Sequence, residues 1–339
     1  MSIDRSPEKP YDFVPLPERC ARAACVGHHR FAQGMETGNL ECDLVLLRPV
    51  QVAAGLLDFV DGNRSGEQLA SLHATIAREG RRLYVLPGSS LKGALRSLAE
   101  AISRSCFSVV SRKVLNYIPA PLRRCTRIDE LCPACRLFGM TGTRRQNYRG
   151  SVHVLDVLLP PDASVILTRT PLLWTPARSR RGLPGRYLQG RHVRGRKFYY
   201  HGRVAAGPDA RVALQAGQTL RATIYFDNLG PALLGVLLTA LGLNPKYPFP
   251  IKVGAGKPVG MGSVEVRLLA AVLRGAVAQG GRLGVGERSL VGDALRQWVG
   301  ECCRAAAKEG LLYPEGLERV AAILGRGGLE TRHMPSGPY

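Results

Sequence analysis

The sequence is poor in acidic residues. It contains 26 Asp and Glu against 47 Lys and Arg, which gives a formal net charge of +21 over 339 residues. So large an excess of positive charge repels itself and points to an anionic partner, of which nucleic acid is the first candidate. Because 45% of the residues are hydrophobic, the chain can still bury a sizeable core in one or two globular domains, and disorder is not expected.

Long hydrophobic runs are also absent. No segment approaches the roughly 20 consecutive apolar residues of a membrane-spanning helix, and residues 1–10 lack the apolar core of a signal peptide. We therefore expect a cytoplasmic protein with no membrane partner. Reducing compartments keep thiols free, so the nine cysteines are expected to be metal ligands or buried thiols rather than a disulfide framework.

Strand patterns and helix patterns alternate along the chain. Segments rich in Val, Ile, Leu or Tyr and bounded by turn residues predict strands at residues 40–47, 83–86, 151–158, 165–168, 219–226 and 263–269. Apolar spacing predicts one helix after Ser90 that reaches Ile102, and a second through residues 232–241. Because strands and helices alternate without a long parallel series, the order favours an α+β fold of the ferredoxin-like kind over a doubly wound sheet.

The last part of the chain has a different pattern. After Leu269 the sequence is rich in glycine as far as Gly286, and a helical pattern follows over residues 289–308. We therefore predict a C-terminal, mainly helical extension at residues 271–339.

Four cysteines give the sharpest chemical signal. Cys132 and Cys135 form a Cys-Pro-Ala-Cys knuckle shortly after Cys125, and Cys106 precedes all three. A two-residue gap in a tight turn lets two thiolates reach one ion, so the four predict a closed, structural Zn²⁺ site. Cys106 ends a predicted helix, where a buried thiol is ordinary, and His153 is an alternative fourth ligand. A knuckle without metal and a redox pair are the competing interpretations.

Basic and aromatic residues are interleaved in residues 178–203, which contain eight arginines and no acidic residue. Arginine forks grip phosphate oxygens and aromatic rings stack on bases, so this composition fits single-stranded nucleic acid. A solvated basic loop is the alternative, although its self-repulsion would cost stability. A smaller cluster around Tyr148 is expected to join the same surface. The candidate contacts in the two segments are Arg144, Arg145, Arg149, Arg191, Arg194, Arg196 and Lys197.

A glycine-rich run occupies residues 253–262 and precedes a predicted strand. A phosphate-cradling NTPase loop would place Ser or Thr after the lysine, whereas Pro258 follows Lys257 here. The dinucleotide-binding fingerprint does not fit either, because a strand rather than a helix follows the run. The run by itself is typical of a plain loop.

Four motifs occur in order along the chain. They are Pro-Gly-Ser-Ser-Leu-Lys-Gly-Ala-Leu-Arg from Pro87, Cys-Pro-Ala-Cys-Arg-Leu-Phe-Gly from Cys132, Phe-Asp-Asn-Leu from Phe226 and Gly-Ala-Gly-Lys-Pro-Val-Gly-Met-Gly from Gly254. Together they resemble the RAMP superfamily. More narrowly, they resemble the repeated backbone subunit of type III CRISPR effector complexes and of the related type VII systems, over about residues 40–270.

The resemblance implies an RRM-like RAMP domain at residues 1–270 of a prokaryotic protein. Its expected parts are a thumb β-hairpin at about 48–82 that intercalates into the guide–target duplex, a zinc-binding insertion at about 104–140 and a basic insertion at about 174–203. Subunits of this kind stack into a filament along the guide. The implied partners are guide crRNA, target RNA, further copies of the chain and other effector subunits, including a 5′-end-capping RAMP subunit and a nuclease.

The resemblance also assigns guide-RNA contacts to the helix that starts the first motif and to the glycine-rich run. A helix N-terminus and free loop amides both favour anions, which agrees with this assignment. The residues that carry over are Ser89, Ser90, Lys92, Arg96, Lys252, Gly256 and Lys257.

Cleavage is a separate question, because type III relatives carry a catalytic aspartate before the strand that leads into the first motif. This sequence departs from that pattern: His73 stands near the expected position, and Asp58 and Asp61 lie earlier in the loop. A histidine can act as a general base, but a lone histidine is usually structural. The sequence thus favours a non-cleaving backbone that leaves cutting to a partner nuclease. A backbone endoribonuclease and a zinc-stabilised RNA-binding protein outside CRISPR are the alternatives.

Overall fold

The structure of the chain is a computed structural model. It describes residues 9–29, 32–61, 66–142, 146–161, 163–173, 183–279 and 282–337, and for residues 275–279 and 282–285 it describes the backbone alone.

Within these ranges the chain forms strands and α-helices in alternation, joined by short 3₁₀ turns. The strands are β1 Tyr11–Val14, β2 Glu36–Leu46, β3 Ala53–Asp61, β4 Glu67–His73, β5 Thr75–Arg78, β6 Arg81–Leu86, β7 Gly139–Thr141, β8 Asn147–Arg149, β9 Val152–Val154, β10 Val157–Leu158, β11 Val165–Thr170, β12 Leu188–Gln189, β13 His192–Val193, β14 Arg196–Tyr199, β15 Asp209–Leu214, β16 Thr219–Leu229, β17 Ile251–Lys252, β18 Ser263–Gln279 and β19 Arg282–Leu290. The helices are α1 Gly88–Ile102, α2 Pro133–Phe138, α3 Pro231–Ala240, α4 Gly292–Lys308, α5 Pro314–Ile323 and α6 Gly328–Thr331.

The central sheet has the order β18-β2-β16-β9, with β17 at the edge beside β18, and these neighbours are all antiparallel. In chain order β2 leads into α1 and then β9, while β16 leads into α3 and then β18. This is the split βαββαβ arrangement of a ferredoxin-like core. The predicted α+β, ferredoxin-like fold is therefore confirmed.

Helix α1 follows from its apolar spacing. Leu91, Leu95, Leu98 and Ile102 recur three to four residues apart and are buried, as the sequence predicted. The opposite face is polar and lines a surface groove. The helix therefore anchors the core with one side and presents charged residues with the other.

Helix α3 is apolar on nearly every side because it is covered on nearly every side. It contacts α1, β16 and α4, and the approach to α4 is so close that a Cβ added to Gly235 would lie 2.1 Å from the carbonyl oxygen of Cys302. The C-terminal helices thus form a further layer on the ferredoxin-like core.

The glycine-rich stretch after Leu269, which we predict to open a mainly helical extension, forms strand. Strand β18 continues through it to Gln279 and pairs with β19 in an antiparallel hairpin, in which Gly275 faces Gly286. Backbone pairing across the hairpin satisfies the amides and carbonyls whatever the side chains are. The domain boundary that we predict at residue 270 falls inside β18, and the helical part of the extension begins with α4.

The segment predicted as a thumb forms two hairpins. Strands β3 and β4 pair with Asp61 opposite Glu67, and β5 pairs with β6. Strand β4 also pairs in parallel with β15, so the first hairpin belongs to a second sheet of order β11-β15-β4-β3. The described part of the chain contains no helix that is long and apolar enough to cross a membrane.

Close packing of α3 on α4 predicts opposite effects of alanine at two helical glycines. In Gly235→Ala the new methyl group meets the Cys302 carbonyl, so we expect the free energy of unfolding to fall by about 1–3 kcal/mol. Gly93 on α1 is the matched control, since a Cβ there meets nothing within 4 Å. Gly93→Ala should raise the free energy of unfolding by about 0.5–1 kcal/mol, because alanine favours the helix. Urea unfolding measures both; destabilisation by both variants alike would contradict the packing argument.

Candidate nucleic-acid interface and metal centre

The four cysteines of the sequence pattern meet at one buried point. The sulfur atoms of Cys106, Cys125, Cys132 and Cys135 all lie within 4.8 Å of one another. The Cys106 Sγ lies 3.6 Å from the Cys132 Sγ and 3.7 Å from the Cys135 Sγ. The cluster can hold a metal ion, and Cys106 rather than His153 is its fourth member. His153 instead lies 3.3 Å from a carboxylate oxygen of Asp227.

Hydrogen-bond donors surround these thiols. The Cys106 amide donates to the Cys132 Sγ at 3.4 Å, and the Cys132 amide donates to the Cys125 Sγ at 3.3 Å. Arg96 approaches the Cys135 Sγ at 3.8 Å. A hydrogen bond with the Cys106 thiol lowers the pKa of Cys125, and likewise lowers the pKa of Cys132 to about 7, whereas its hydrogen bond with Cys125 raises the pKa of Cys106. These contacts favour the thiolate, the form that binds a metal, at Cys125 and Cys132.

A basic groove runs along the polar face of α1. It consists of two adjoining cavities of about 440 Å³ and 560 Å³, which share Arg96, Ser108 and Val109. The first cavity reaches β14 and the glycine-rich loop, and the second reaches the cysteine cluster. Cations that line the groove are Lys92, Arg96, Arg124, Arg149, Arg196, Lys197, Lys252 and Lys257. Seven of these eight are residues that the sequence proposed as phosphate contacts; Arg124 is the addition.

Among the residues that the structure describes, Glu100 is the one carboxylate that lines the groove, and it fixes two of the arginines. Its side chain is buried, and it accepts from Arg96 Nε at 3.2 Å and from Arg196 Nη1 at 2.7 Å. Arg196 also donates to the Cys106 carbonyl oxygen at 2.8 Å and lies 3.9 Å from the ring centre of Phe107. Arg196 therefore ties the groove wall to the cysteine cluster, a role that no local sequence pattern indicated.

The glycine-rich loop packs on the protein itself. Gly256 has a φ of +68° and leaves no room for a Cβ, which would lie 2.5 Å from the Met261 sulfur, and a Cβ on Gly254 would lie 2.1 Å from the Gln51 carbonyl oxygen. These glycines therefore allow other segments of the protein to pack closely against the loop backbone. Lys252 is buried beneath the loop and donates to the Met261 carbonyl oxygen at 3.1 Å. Burial lowers the pKa of Lys252 to about 7 and also lowers the pKa of Lys257.

The N-terminus of α1 already has an internal anion. The Gly88 amide donates to a carboxylate oxygen of Asp156 at 2.7 Å, and the Ser90 amide donates to the Pro87 carbonyl oxygen at 2.9 Å. Asp156 therefore supplies a negative charge at the helix N-terminus through the Gly88 amide, while the phosphate contacts of Ser89 and Ser90 stay a prediction. Ser89 is exposed at the start of α1, and neither it nor Ser90 lines the groove. Lys92 lines it while donating to the Val152 carbonyl oxygen at 2.7 Å.

The remaining candidate arginines are dispersed. Arg191 and Arg194 are exposed near the small β12–β13 hairpin and do not line the groove. Arg144 and Arg145 lie outside the described residues. Lys197 lines the groove and sits against three tyrosine rings, with its Nζ 4.5 Å from the centre of Tyr11, 5.4 Å from Tyr187 and 4.8 Å from Tyr199.

His73 is buried and hydrogen-bonded within the protein, an environment typical of a structural histidine rather than of a general base. Its side chain is buried, its Nε2 lies 3.0 Å from the Val85 carbonyl oxygen, and its Nδ1 lies 3.3 Å from the Val52 amide. Burial lowers the pKa of His73, and both ring nitrogens are occupied. Asp58 and Asp61 are exposed on β3, where their odd spacing places them on opposite faces of the strand. Neither lines the groove.

The topology places the chain among proteins with a ferredoxin-like core. The RAMP superfamily model matches residues 71–265, which is more than half of the chain, and the chain belongs to this superfamily. It is also similar to a chain of a solved Type IV-B CRISPR complex, with 20% identity, a TM-score of 0.38 and coverage of 71% of this chain and 94% of that one. No curated protein matches the sequence.

The cysteine geometry predicts one bound metal ion per chain. Cys132→Ser should lose the ion and lower the free energy of unfolding by more than about 2 kcal/mol, because binding of a structural metal contributes directly to folding. Cys302→Ser is the matched control, since Cys302 is buried outside the cluster. Elemental analysis together with urea unfolding of the two variants tests this. Equal metal content in wild type and Cys132→Ser would contradict it.

Proposed function

We propose that the chain is a guide-RNA-binding backbone subunit of a CRISPR effector complex, of type III or the related type VII. Copies polymerise along the crRNA and capture complementary target RNA. The observation that carries this proposal is the basic groove along α1, in a RAMP protein whose ordered motifs resemble that backbone subunit. The expected partners are further copies, a 5′-end-capping RAMP subunit and a nuclease.

The groove has the chemistry of a site for a nucleic-acid backbone. Among the described residues, its lining contains eight lysines and arginines and one carboxylate, Glu100, which already pairs with Arg96 and Arg196. Lys252, whose pKa burial lowers to about 7, is only partly charged at neutral pH. Phosphates held in the groove would offset the repulsion among these cations, some of which are half-buried. Contacts of this kind fix the position of a strand but do not read its sequence, so base specificity belongs to pairing between guide and target.

The metal in this proposal is Zn²⁺ with a structural role. A tetrahedral zinc with Zn–S bonds of about 2.3 Å separates its sulfurs by about 3.8 Å. The measured separations of 3.6 and 3.7 Å fit that geometry, and four thiolates leave no position for water. The ion would fix the insertion against α1 and so shape one end of the groove.

Binding through phosphate contacts predicts a salt-dependent loss of affinity when a groove cation is removed. Arg149 is exposed and lines the second cavity. Arg149→Ala should weaken binding of a short RNA by about 1 kcal/mol and reduce the slope of log affinity against log salt by about 1. Arg296→Ala is the matched control, because Arg296 is exposed on α4 outside the groove. A fluorescence titration at several salt concentrations measures both, and equal effects of the two variants would speak against the groove.

Backbone cleavage remains the second candidate function, since Asp58 and Asp61 are exposed on a hairpin. The two proposals are separated by assembling the complex on a defined guide and adding a matched, labelled target RNA, with and without divalent metal and partner nuclease. We expect the backbone complex to bind the target RNA tightly by itself, and we expect cleavage only when the nuclease is present. Regularly spaced cuts by the backbone complex alone, abolished by Asp58→Ala or Asp61→Ala, would establish the endoribonuclease instead. A bound RNA without a repeat-derived tag would favour an RNA-binding protein outside CRISPR.

A further inference from the structure

Lys252 lines the first cavity of the basic groove, yet protein encloses almost all of it. The residue lies on β17 beneath the glycine-rich loop and is 7% exposed. Its Nζ donates to the Met261 carbonyl oxygen at 3.1 Å and to the Lys257 carbonyl oxygen at 3.4 Å. Both acceptors are neutral backbone groups, so they occupy N–H donors of the amine without compensating its positive charge.

The charged neighbours of Lys252 are cations. Lys257 and Arg48 are close enough to disfavour a proton on its amine. Arg48 already pairs with an exposed carboxylate on α6 at 2.6 Å, and Lys257 lines the same cavity as Lys252. Strand β14 presents two further cations to that cavity, Arg196 and Lys197. Repulsion by like charges therefore adds to the cost of keeping a buried amine protonated.

Within the described part of the chain, the elements packed around Lys252 offer it no carboxylate. Ser263, its partner across β17 and β18, is uncharged. His201 contacts the Ser263 Oγ at 2.8 Å and a backbone carbonyl oxygen at 3.2 Å, and burial keeps it neutral by lowering its pKa to about 3. Glu100 lines the cavity from α1 but pairs with two arginines. The protein thus provides the amine with hydrogen-bond acceptors but no counter-charge.

The missing counter-charge has a consequence for the protonation of Lys252. Burial and the cationic neighbours lower its pKa to about 7, so at pH values above this the amine of the RNA-free chain is mostly neutral. A phosphate in the cavity supplies the opposite charge, and an anion beside an amine raises the pKa of that amine. Entry of a phosphate and protonation of Lys252 therefore favour each other.

We propose that RNA binding in the basic groove is coupled to the uptake of a proton at Lys252. The inference rests on the proposed function, because an RNA phosphate supplies the charge that Lys252 lacks. Below about pH 7 the amine is protonated with or without RNA, so this lysine makes the affinity independent of pH there. Above that pH, binding has to recruit a proton, and the affinity falls by up to about tenfold for each pH unit.

Titration with a short oligoadenylate from about pH 6 to about pH 9 at constant ionic strength tests the coupling, because adenine bases do not titrate over this range. The wild-type affinity should fall at least about tenfold between about pH 7 and about pH 9. An affinity that is constant over the whole range overturns the proposal and leaves the proposed function in place. A wild-type chain that binds no RNA even at about pH 6 defeats the proposed function, and the coupling with it.

Lys252→Met separates this lysine from Lys92 and Lys257, whose pKa values burial also lowers. The variant keeps the length of the side chain and loses its charge. It should bind the RNA at least about fivefold more weakly than wild type at about pH 6, and within about twofold of wild type at about pH 9. Lys308→Met is the matched control, since Lys308 is exposed at the end of α4 outside the groove. The control should follow wild type at every pH, and a ratio between Lys252→Met and wild type that does not change with pH overturns the proposal.

Calorimetry counts the proton directly. Binding heats measured at about pH 8 in two buffers with different heats of ionisation give the number of protons taken up for each RNA bound. Wild type should take up about half a proton to one proton more than Lys252→Met. Equal proton uptake by the two chains contradicts the assignment to Lys252.

The stability of the RNA-free chain reports the state of Lys252 without any ligand. A lysine of the unfolded chain has a pKa of about 10.4, so between about pH 7 and about pH 10 the unfolded state binds more protons at this position than the folded state does, and stability rises with pH. In urea unfolding, this rise should be larger for wild type than for Lys252→Met. The same pH dependence in both chains means that Lys252 is already protonated before RNA binds, which overturns the proposal.

Discussion

The buried carboxylate of Glu100 is the interaction on which the groove depends. It holds Arg96 on its own helix and Arg196 on β14, and Arg196 in turn reaches the backbone beside the cysteine cluster. Removing one partner of a buried ion pair leaves the other without compensation, at a cost of about 3–5 kcal/mol. The core helix, the groove wall and the cysteine cluster are thus linked through one side chain.

Much of the fold could be predicted because it follows from local periodicity. The buried stripe on α1, the apolar helix α3 and four strands of the central sheet (β2, β9, β16 and the start of β18) appear in the spacing of apolar residues. Three of the four cysteines were accessible because Cys132 and Cys135 lie in one turn shortly after Cys125, whereas the choice of Cys106 over His153 as the fourth member required the fold. Four of the eight groove lysines and arginines were found through motif resemblance, which carries information on long-range contacts that spacing lacks, and three through local composition.

The features that the sequence patterns did not indicate have a common physical origin: they depend on contacts between distant segments of the chain. His73 is held by Val52 and Val85, and Asp156 caps a helix that starts 68 residues earlier. The glycine-rich strand after Leu269 is specified by its partner β19, and the glycines of the loop near Gly256 by the segments packed against them. Strand β1 pairs with β14, and the sequence of neither segment predicts this pairing. Local composition cannot distinguish a glycine that lets a phosphate approach the backbone from one that lets a carbonyl group of the protein approach it.

The pairing of β1 with β14 has a consequence for the order in which the molecule is made. One wall of the basic groove is formed by β14, which is held by β1 from the start of the chain, and Leu324, just after α5, lines the same cavity. During synthesis the N-terminal strand must wait for its partner, and the cavity is complete only when α5 has emerged. Any ligand of the groove therefore meets a nearly finished molecule.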